Sequence, residues 1–583
     1  MKTSEIFSFH EVPDELSSTN KSSERMEEGI QGQLSGGEDW GESASFDSHH
    51  SDFGSLKDNS SKENLIFFSH HQEWFLDSDI FCGLEDNIFS PPVKKSLGGI
   101  SRLGEIQNDI QDQPKKTTQD QFTLTSLGLL KSYGKGLKRL SSERIIKPTN
   151  DTPSIEVASQ ELSTEGIMRV AAERFIQPFT KTVDVVVSML DNPFDISFSG
   201  LPDEEAKKLE LAELLLAAAV KVSNQQYDRA RTLLNQCDCL SSTTGNAVER
   251  VVHYFSKALE ERIDQETGKI TSQGLEKQQF FNIDEAIMAS TPNILACYQE
   301  VPFSQVAHFA GIQAIVENVT EAKRIHVIDL GIKIGVQWTG LMQALVSQSD
   351  FSLELLKITA IGTTLKRLIK DTGKRLTSFA ESVGLPFSFN TVMVSDILEL
   401  KEDLFELDAD ETVVVYCEYL LWSFIPLPDR LDSMMKVIRN LNPTIMVVTE
   451  PEFNSTSPYF VNSFIESLFY FSAYFDCLEC CMRDNPKRMI IESLRFGEAI
   501  RNIVTTEGEE RKIQNATLDV WRVFFARFGM EETELSTSSL RLAELIAKKF
   551  PCGSACTLGM DGKSLLIGWK GTAMHSLSAW KFI

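Results

Sequence analysis

The sequence predicts an α/β fold: a mostly parallel sheet covered on both faces, joined to an α-helical subdomain and preceded by a disordered N-terminal region. Three observations carry this prediction. Residues 324–345 read as strand, glycine-bearing turn and helix. From there onward, short apolar runs alternate with helical patterns, which calls for parallel strands joined by crossover helices. Ahead of them, between about residues 203 and 320, helical patterns follow one another with no strand between, which is how a bundle-like subdomain reads.

In chain order, residues 1–115 form an acidic regulatory tail. The first sixty residues hold thirteen acidic and four basic side chains among many Ser and Gly, too little apolar surface to fold alone. Within it, Phe67, Phe68, Trp74, Phe75 and Phe81 are set among acids. Aromatics kept exposed by surrounding charge suit an activation segment that folds into a partner's groove. The alternative is a strip that docks on the chain's own core.

Residues 116–159 change sign and make a basic amphipathic segment and linker. Lys131, Lys135, Lys138 and Arg139 accompany leucines at helical spacing, which reads either as a nuclear import signal or as the solvated face of a helix. Pro148 and Pro153 then mark the linker.

Residues 160–320 are predicted to form the α-helical cap. Ser163-Thr164-Glu165 is a helix start. Leu211, Leu214, Leu215, Ala218 and Val222 make one apolar face, Ala230, Leu233 and Leu234 the next, and Val248, Val251, Val252, Phe255 and Leu259 another. Each follows the period of a helix with one buried stripe.

Residues 321–583 are predicted to be the α/β core. Ile325, Val327 and Ile328 form a β-branched run typical of a strand buried on both faces. Asp329 ends it, Gly331 and Gly335 follow, and Trp338, Leu341, Met342 and Leu345 lie at i, i+3, i+4 and i+7 of a helix. Further strands are predicted at 353–362, 387–394, 411–418 and 444–450, with helices around 365–383 and 431–441. SACTLGM, Asp561-Gly562 and KSLLIGWK make a hairpin signal, and HSLSAWKFI adds a last strand. A parallel sheet finished by antiparallel C-terminal strands is the methyltransferase-type variant of the Rossmann fold.

Composition narrows the function. The chain has 583 residues, 42% of them hydrophobic, and a net charge of −26. Such a surface repels phosphate backbones, so DNA contact is expected to be indirect. No signal-peptide pattern opens the chain and no stretch reaches the length of a membrane span. The closest thiol cluster, Cys477, Cys480 and Cys481, has no second CxxC or His pair to complete a zinc site, and reads as buried free thiols.

Strand, turn and helix at 324–345 is also where α/β folds hold nucleotide-like ligands. A methyltransferase of this fold needs glycines after the first strand, so that the backbone can approach S-adenosylmethionine, and an acidic residue ending the second strand for the ribose. Here the loop is Asp329, Gly331, Lys333 and Gly335, with lysine at the central glycine position. The second strand ends Ile361-Gly362-Thr363-Thr364, without a carboxylate. Gly331 and Gly335 are therefore read as turn residues needing positive φ, and no cofactor or catalytic residue is assigned. No GxSxG or HExxH motif occurs, and no Gly-rich loop ends in GK[ST].

The run His326-Val327-Ile328-Asp329, then Gly335-x-Gln337-Trp338, resembles the VHIID motif of the plant GRAS family of transcriptional regulators. The resemblance covers about residues 160–583. LAELLLAAAVKV and AVERVVHYFSKALEERI are similar to that family's first leucine-rich region, VPFSQVAHFAGIQAIVENV to its lead-in helix, LLKITAIG to the end of its second leucine region. FIESLFYFSAYFDCLE and RMIIESLRFGEAIRNIVTTEGEER resemble its PFYRE region. Trp521 and Gly529 keep its Trp-x7-Gly spacing, and Trp569 with Ser578-Ala579-Trp580 resemble its SAW region. The chain departs from the usual pattern at Leu330, at Lys333 and at Val301-Pro302, and Asp14-Glu15-Leu16 is only a fragment of the DELLA motif. The resemblance implies a nuclear regulator that pairs with other GRAS proteins and docks on DNA-bound factors such as zinc-finger proteins. Two alternatives stand beside it: a methyltransferase-like or small-molecule-binding protein using the Asp329 loop, and a GRAS protein that contacts DNA itself through a basic groove.

Overall fold

β1 (Arg324–Asp329) lies at the middle of the sheet because its side chains are apolar on both faces. Ile325 and Val327 enter one core and Ile328 the other, the period-2 alternation of a doubly covered strand. It pairs in parallel with β2 (Leu355–Gly362) on one side and β4 (Thr412–Glu418) on the other. β3 (Phe387–Met393) extends the sheet beyond β2, and β5 (Ile445–Pro451) beyond β4, also in parallel. The order is then completed by antiparallel pairing of β5 with β9 (Thr572–Phe582), of β9 with β8 (Ser564–Trp569), and of β8 with β7 (Cys556–Asp561). A short strand, β6 (Met530–Thr533), pairs with the end of β9. The path β3-β2-β1-β4-β5-β9-β8-β7 is the mixed α/β architecture expected. This is a computed structural model, and it describes residues 162–180, 202–269, 291–348, 353–507 and 511–583. The readings made for Phe67, Phe68, Trp74, Phe75 and Phe81, and for Lys131, Lys135, Lys138 and Arg139, lie outside the described residues.

Helices α1 (Thr164–Thr180), α2 (Asp203–Ser223), α3 (Tyr227–Leu240), α4 (Ala247–Glu266), α5 (Thr291–Glu300) and α6 (Pro302–Asn318) precede the sheet. The apolar faces read from sequence are the buried ones: Leu215, Ala218 and Val222 on α2, and Val251, Val252, Phe255 and Leu259 on α4. α6 has Pro302 in its first turn, where a missing N–H costs nothing.

Between the strands run α7 (Val336–Val346), α8 (Lys366–Ser382) and α9 (Pro428–Leu441). Trp338, Leu341, Met342 and Leu345 of α7 are all buried. After β5 come α10 (Phe460–Met482) and a continuous helix, α11, over 487–505, whose central stretch Ile491–Gly497 is π-helical. These two pack on the cap. Arg250 of α4, itself buried, reaches Glu479 of α10 at 2.8 Å and Glu492 of α11 at 3.1 Å. Arg501 of α11 grips Glu261 of α4 through two bonds of 2.6 Å. The helical layer is therefore assembled from chain on both sides of the parallel strands. α12 (Leu518–Arg527) and α13 (Thr537–Lys549) complete the described helices.

The reading of Cys477, Cys480 and Cys481 as buried thiols needs correction. Only Cys477 is buried; Cys480 is exposed and Cys481 half-buried. α10 is apolar nearly all round except at its last turn, where the chain emerges from the core and turns Cys480 outward toward Cys552.

Candidate functional site: a cleft at the carboxyl end of the sheet

The strand order reverses between β1 and β4, so the loops leaving these two strands diverge and open a crevice there. The crevice is a cleft of about 220 Å³. Its floor is 330–333 after β1, 361–365 after β2 and 418–420 after β4, and its wall is Phe453, Tyr470, Phe471, Tyr474 and Phe496. A recess of about 60 Å³ under α5 and α6 shares Lys333, Glu418, Tyr419, Tyr474 and Arg495 with it.

The β1 motif builds the floor. Asp329 is buried, and its carboxylate accepts from Trp338 Nε1 at 2.8 Å, Gly331 N at 3.1 Å and Gln337 Nε2 at 3.4 Å. Burial pushes the Asp329 carboxyl up to about 7, against the pull of these donors. The acid is thus spent on fastening the turn to α7. Gly335 has φ +70°, and a Cβ there would meet Thr372 Cγ2 at 2.7 Å, so the positive-φ reading applies to it. Gly331 corrects that reading. It is not among the positive-φ glycines; it lines the cleft, where a Cβ would touch the Leu420 side chain at an ordinary 3.5 Å.

His326 points away from this group, because alternate side chains of a strand face opposite sides. Its Nδ1 lies 2.8 Å from Glu411 Oε2 and its Nε2 2.7 Å from Thr359 Oγ1, bonds that tie three neighbouring chain segments. Val327 and Ile328 are fully buried core. Trp521 of α12 stacks on Phe525, and Phe525 lies against Trp580 at 4.7 Å; Gly529, at φ +77°, follows the end of that helix in the left-handed conformation glycine favours there. Trp580 Nε1 donates to Ser578 Oγ at 2.9 Å, and Ala579 sits between Val447 of β5 and Thr533 of β6. Trp569 is buried on the opposite face, its Nε1 donating to Asp476 of α10 at 2.7 Å. Asp329, Gln337, Trp338 and Gly331 therefore come together, while the other motif residues are dispersed through the two cores.

The charged groups in the cleft come from elsewhere. The Lys333 ammonium lies 4.8 Å from the centroid of the Tyr419 ring. Burial works to raise the Glu418 carboxyl, but His308, whose Nε2 is 2.7 Å away, outweighs it with help from Lys333 and holds Glu418 down at about 2. His575 of β9 is buried; burial, then Arg495, push its imidazole down to about 3. Tyr474, whose hydroxyl burial keeps protonated, shares a hydrogen bond of 2.6 Å with His575 Nε2. Arg495 enters from the π-helical stretch of α11. Sequence reading missed Glu418, Tyr419, Tyr474, Arg495 and His575. They lie on four elements and the turn after β4, and the one local signal is Tyr419, a bulky residue with φ +49° in that turn.

Comparison with known proteins comes down to one family. The model of the GRAS domain family matches residues 211–581. A DELLA protein, GAIP of Cucurbita maxima, is 28% identical over 386 residues, covering 65% of this chain and 64% of that protein. DELLA protein RGL1 of Arabidopsis thaliana is 28% identical over 65% of this chain and 71% of its own length. Scarecrow-like protein 18 of Arabidopsis thaliana is 30% identical over 64% of this chain and 91% of its own. The crystal structure of SCL7 from Oryza sativa superposes with a TM-score of 0.57 at 25% identity, over 64% of this chain and 99% of that one. With the motif blocks, the sheet order and these likenesses in agreement, the chain is a member of the GRAS domain family.

Proposed function

We propose that the chain is a nuclear transcriptional regulator of plants that works by protein recognition, pairing with another GRAS protein and docking on a DNA-bound factor such as a zinc-finger protein, and not by catalysis. The observation that carries this reading is the use made of Asp329. The acid that would face a cofactor is turned inward and occupied by Trp338, Gly331 and Gln337. The DELLA and Scarecrow-like relatives support a regulatory role. The net charge of −26 supports leaving DNA to the partner. A second reading, direct DNA contact, has one observation in its favour: from Lys366 to Arg375, α8 carries five cations against the single Asp371, with Lys366, Arg367, Lys370 and Lys374 exposed.

The test is a pull-down of the full chain with Scarecrow-like protein 18, beside a DNA mobility shift at physiological salt. The expected result is a stable pair and no shift by the chain alone. A shift by the chain alone that Lys366→Glu with Lys370→Glu abolishes would put direct DNA contact first.

A further inference from the structure

We propose that the cleft at the carboxyl end of the sheet binds a small carboxylic acid bearing an apolar ring system. The carboxylate is held by Arg495 and the ring lies against the aromatic wall. This inference stands apart from the protein-recognition reading and does not depend on it.

The first support is the state of Arg495. Arg250, Arg262, Arg501 and Arg522 each reach carboxylates within the folded chain. Arg495 lines both the cleft and its recess and, among the described residues, makes no salt bridge; its guanidinium carbon lies 5.9 Å from the centroid of the Phe496 ring. A guanidinium is always charged and offers five donors in a planar fork that matches a carboxylate. A half-buried fork without an acid beside it is a site for an incoming one.

The second support is His575. Its Nε2 is hydrogen-bonded to the Tyr474 hydroxyl, and its buried Nδ1 has no hydrogen-bond partner. The cleft therefore adds a second polar group short of a partner. Its one carboxylate, Glu418, is already engaged by His308. A ligand that supplies acceptors fits; a cation meets Lys333 and Arg495.

The third support is where the backbone departs from ordinary conformations. Tyr419 and Leu365, neither of them glycine, have φ +49° and +58°, and both line the cleft, as does Arg495 of the π-helical stretch. Left-handed non-glycine residues and π-bulges persist where the surroundings hold them in place, and they gather at binding sites. Three such features on one crevice mark it out from the rest of the sheet. The basic stripe of α8 begins at its rim, since Leu365 and Ile369 line the cleft while Lys366 and Lys370 flank them in the open. On a chain this acidic, that stripe steers anions toward the opening.

The wall fixes the rest of the ligand. Phe453 and Tyr470 stack with centroids 4.0 Å apart, and Tyr474 lies 4.6 Å from Phe496. Such faces take a flat or fused apolar ring, not a chain of hydroxyls.

The experiment titrates the full-length protein with 2-naphthoate and with its neutral isostere naphthalene-2-carboxamide, by calorimetry and ligand-observed NMR. The acid is expected to saturate one site and to bind about tenfold to a hundredfold more tightly than the amide, the gain of a charge-assisted over a neutral bond. Arg495→Gln should erase that preference, and Arg495→Lys should keep part of it, with folding of both checked by circular dichroism. Equal affinity for acid and amide on the unmodified chain overturns the proposal, as does no saturable binding at millimolar acid. A preference that survives in folded Arg495→Gln overturns it too. Should Arg495→Gln fail to fold, the acid-against-amide comparison on the unmodified chain decides alone.

Discussion

At the scale of single residues, the two loop glycines separate conformational need from proximity. Gly335 combines a left-handed φ with a neighbour at 2.7 Å from any added Cβ. Gly335→Ala is therefore expected to cost about 1–2 kcal/mol for the backbone alone, and more once Thr372 must move. Gly331→Ala meets only a flexible leucine at ordinary contact distance and should stay within about 0.5 kcal/mol; denaturant melts of the two variants check the contrast. Asp329 makes a pH prediction. Its folded pKa of about 7 lies above the unfolded value, so the folded state binds the proton more tightly. Its contribution to stability is complete below about pH 4 and is lost as pH rises through 7. Asp329→Asn still accepts from Trp338 and has no proton to lose. The difference in Tm, variant minus parent, should thus move in the variant's favour between pH 5 and pH 8. A difference that is flat or moves the other way contradicts the assignment.

At the scale of elements, a buried ion pair fastens α4 to α11 inside a continuous apolar core. Arg250 and Glu492 are both buried and face each other across α4 and α11. Removing one partner strands the other, so Arg250→Ala is expected to cost about 3–5 kcal/mol. Adding Glu492→Gln should return a good part of it, a coupling that a double-mutant cycle measures. Trp580, 1% exposed and packed on Phe525, should lose about 3–5 kcal/mol as Ala, read from soluble yield and Tm. Elements held by their own pattern were legible from sequence. β1, β4 and β5 are runs rich in β-branched residues, and α4 and α7 carry clean apolar stripes. β6 was not legible, because Met530–Thr533 has two acids in four residues and is a strand only through pairing with β9. The π-helical stretch Ile491–Gly497 has no periodic signature either. The cleft was half legible for the same reason. Its floor is one contiguous motif. Its charged groups include a pair 110 positions apart, His308 and Glu418, and only the packing of α6 on the end of β4 brings them within reach.

At the scale of the whole molecule, the question is whether a sheet wound like that of a methyltransferase still handles S-adenosylmethionine. Three contacts of such a site can be followed in the fold. At the central glycine position stands Lys333, whose ammonium lies over Tyr419 inside the cleft and would repel a sulfonium, with Arg495 adding to the repulsion. At the end of β2, where a ribose would need a carboxylate, Gly362, Thr363 and Thr364 line the cleft. The acid of the loop, Asp329, is committed to Trp338. Losing one charge-assisted hydrogen bond costs about 1.5–3 kcal/mol, roughly tenfold to a hundredfold in affinity. Charge repulsion and the missing ribose anchor act on top of one another. The full chain is therefore expected to show no calorimetric signal with millimolar S-adenosylmethionine and no transfer of a labelled methyl group to nuclear protein extract. Lys333→Gly alone should not restore binding, since the end of β2 is unchanged. Micromolar binding by the unmodified chain would place catalysis ahead of protein recognition, while leaving the preference of the Arg495 cleft for an acid over its amide a separate measurement.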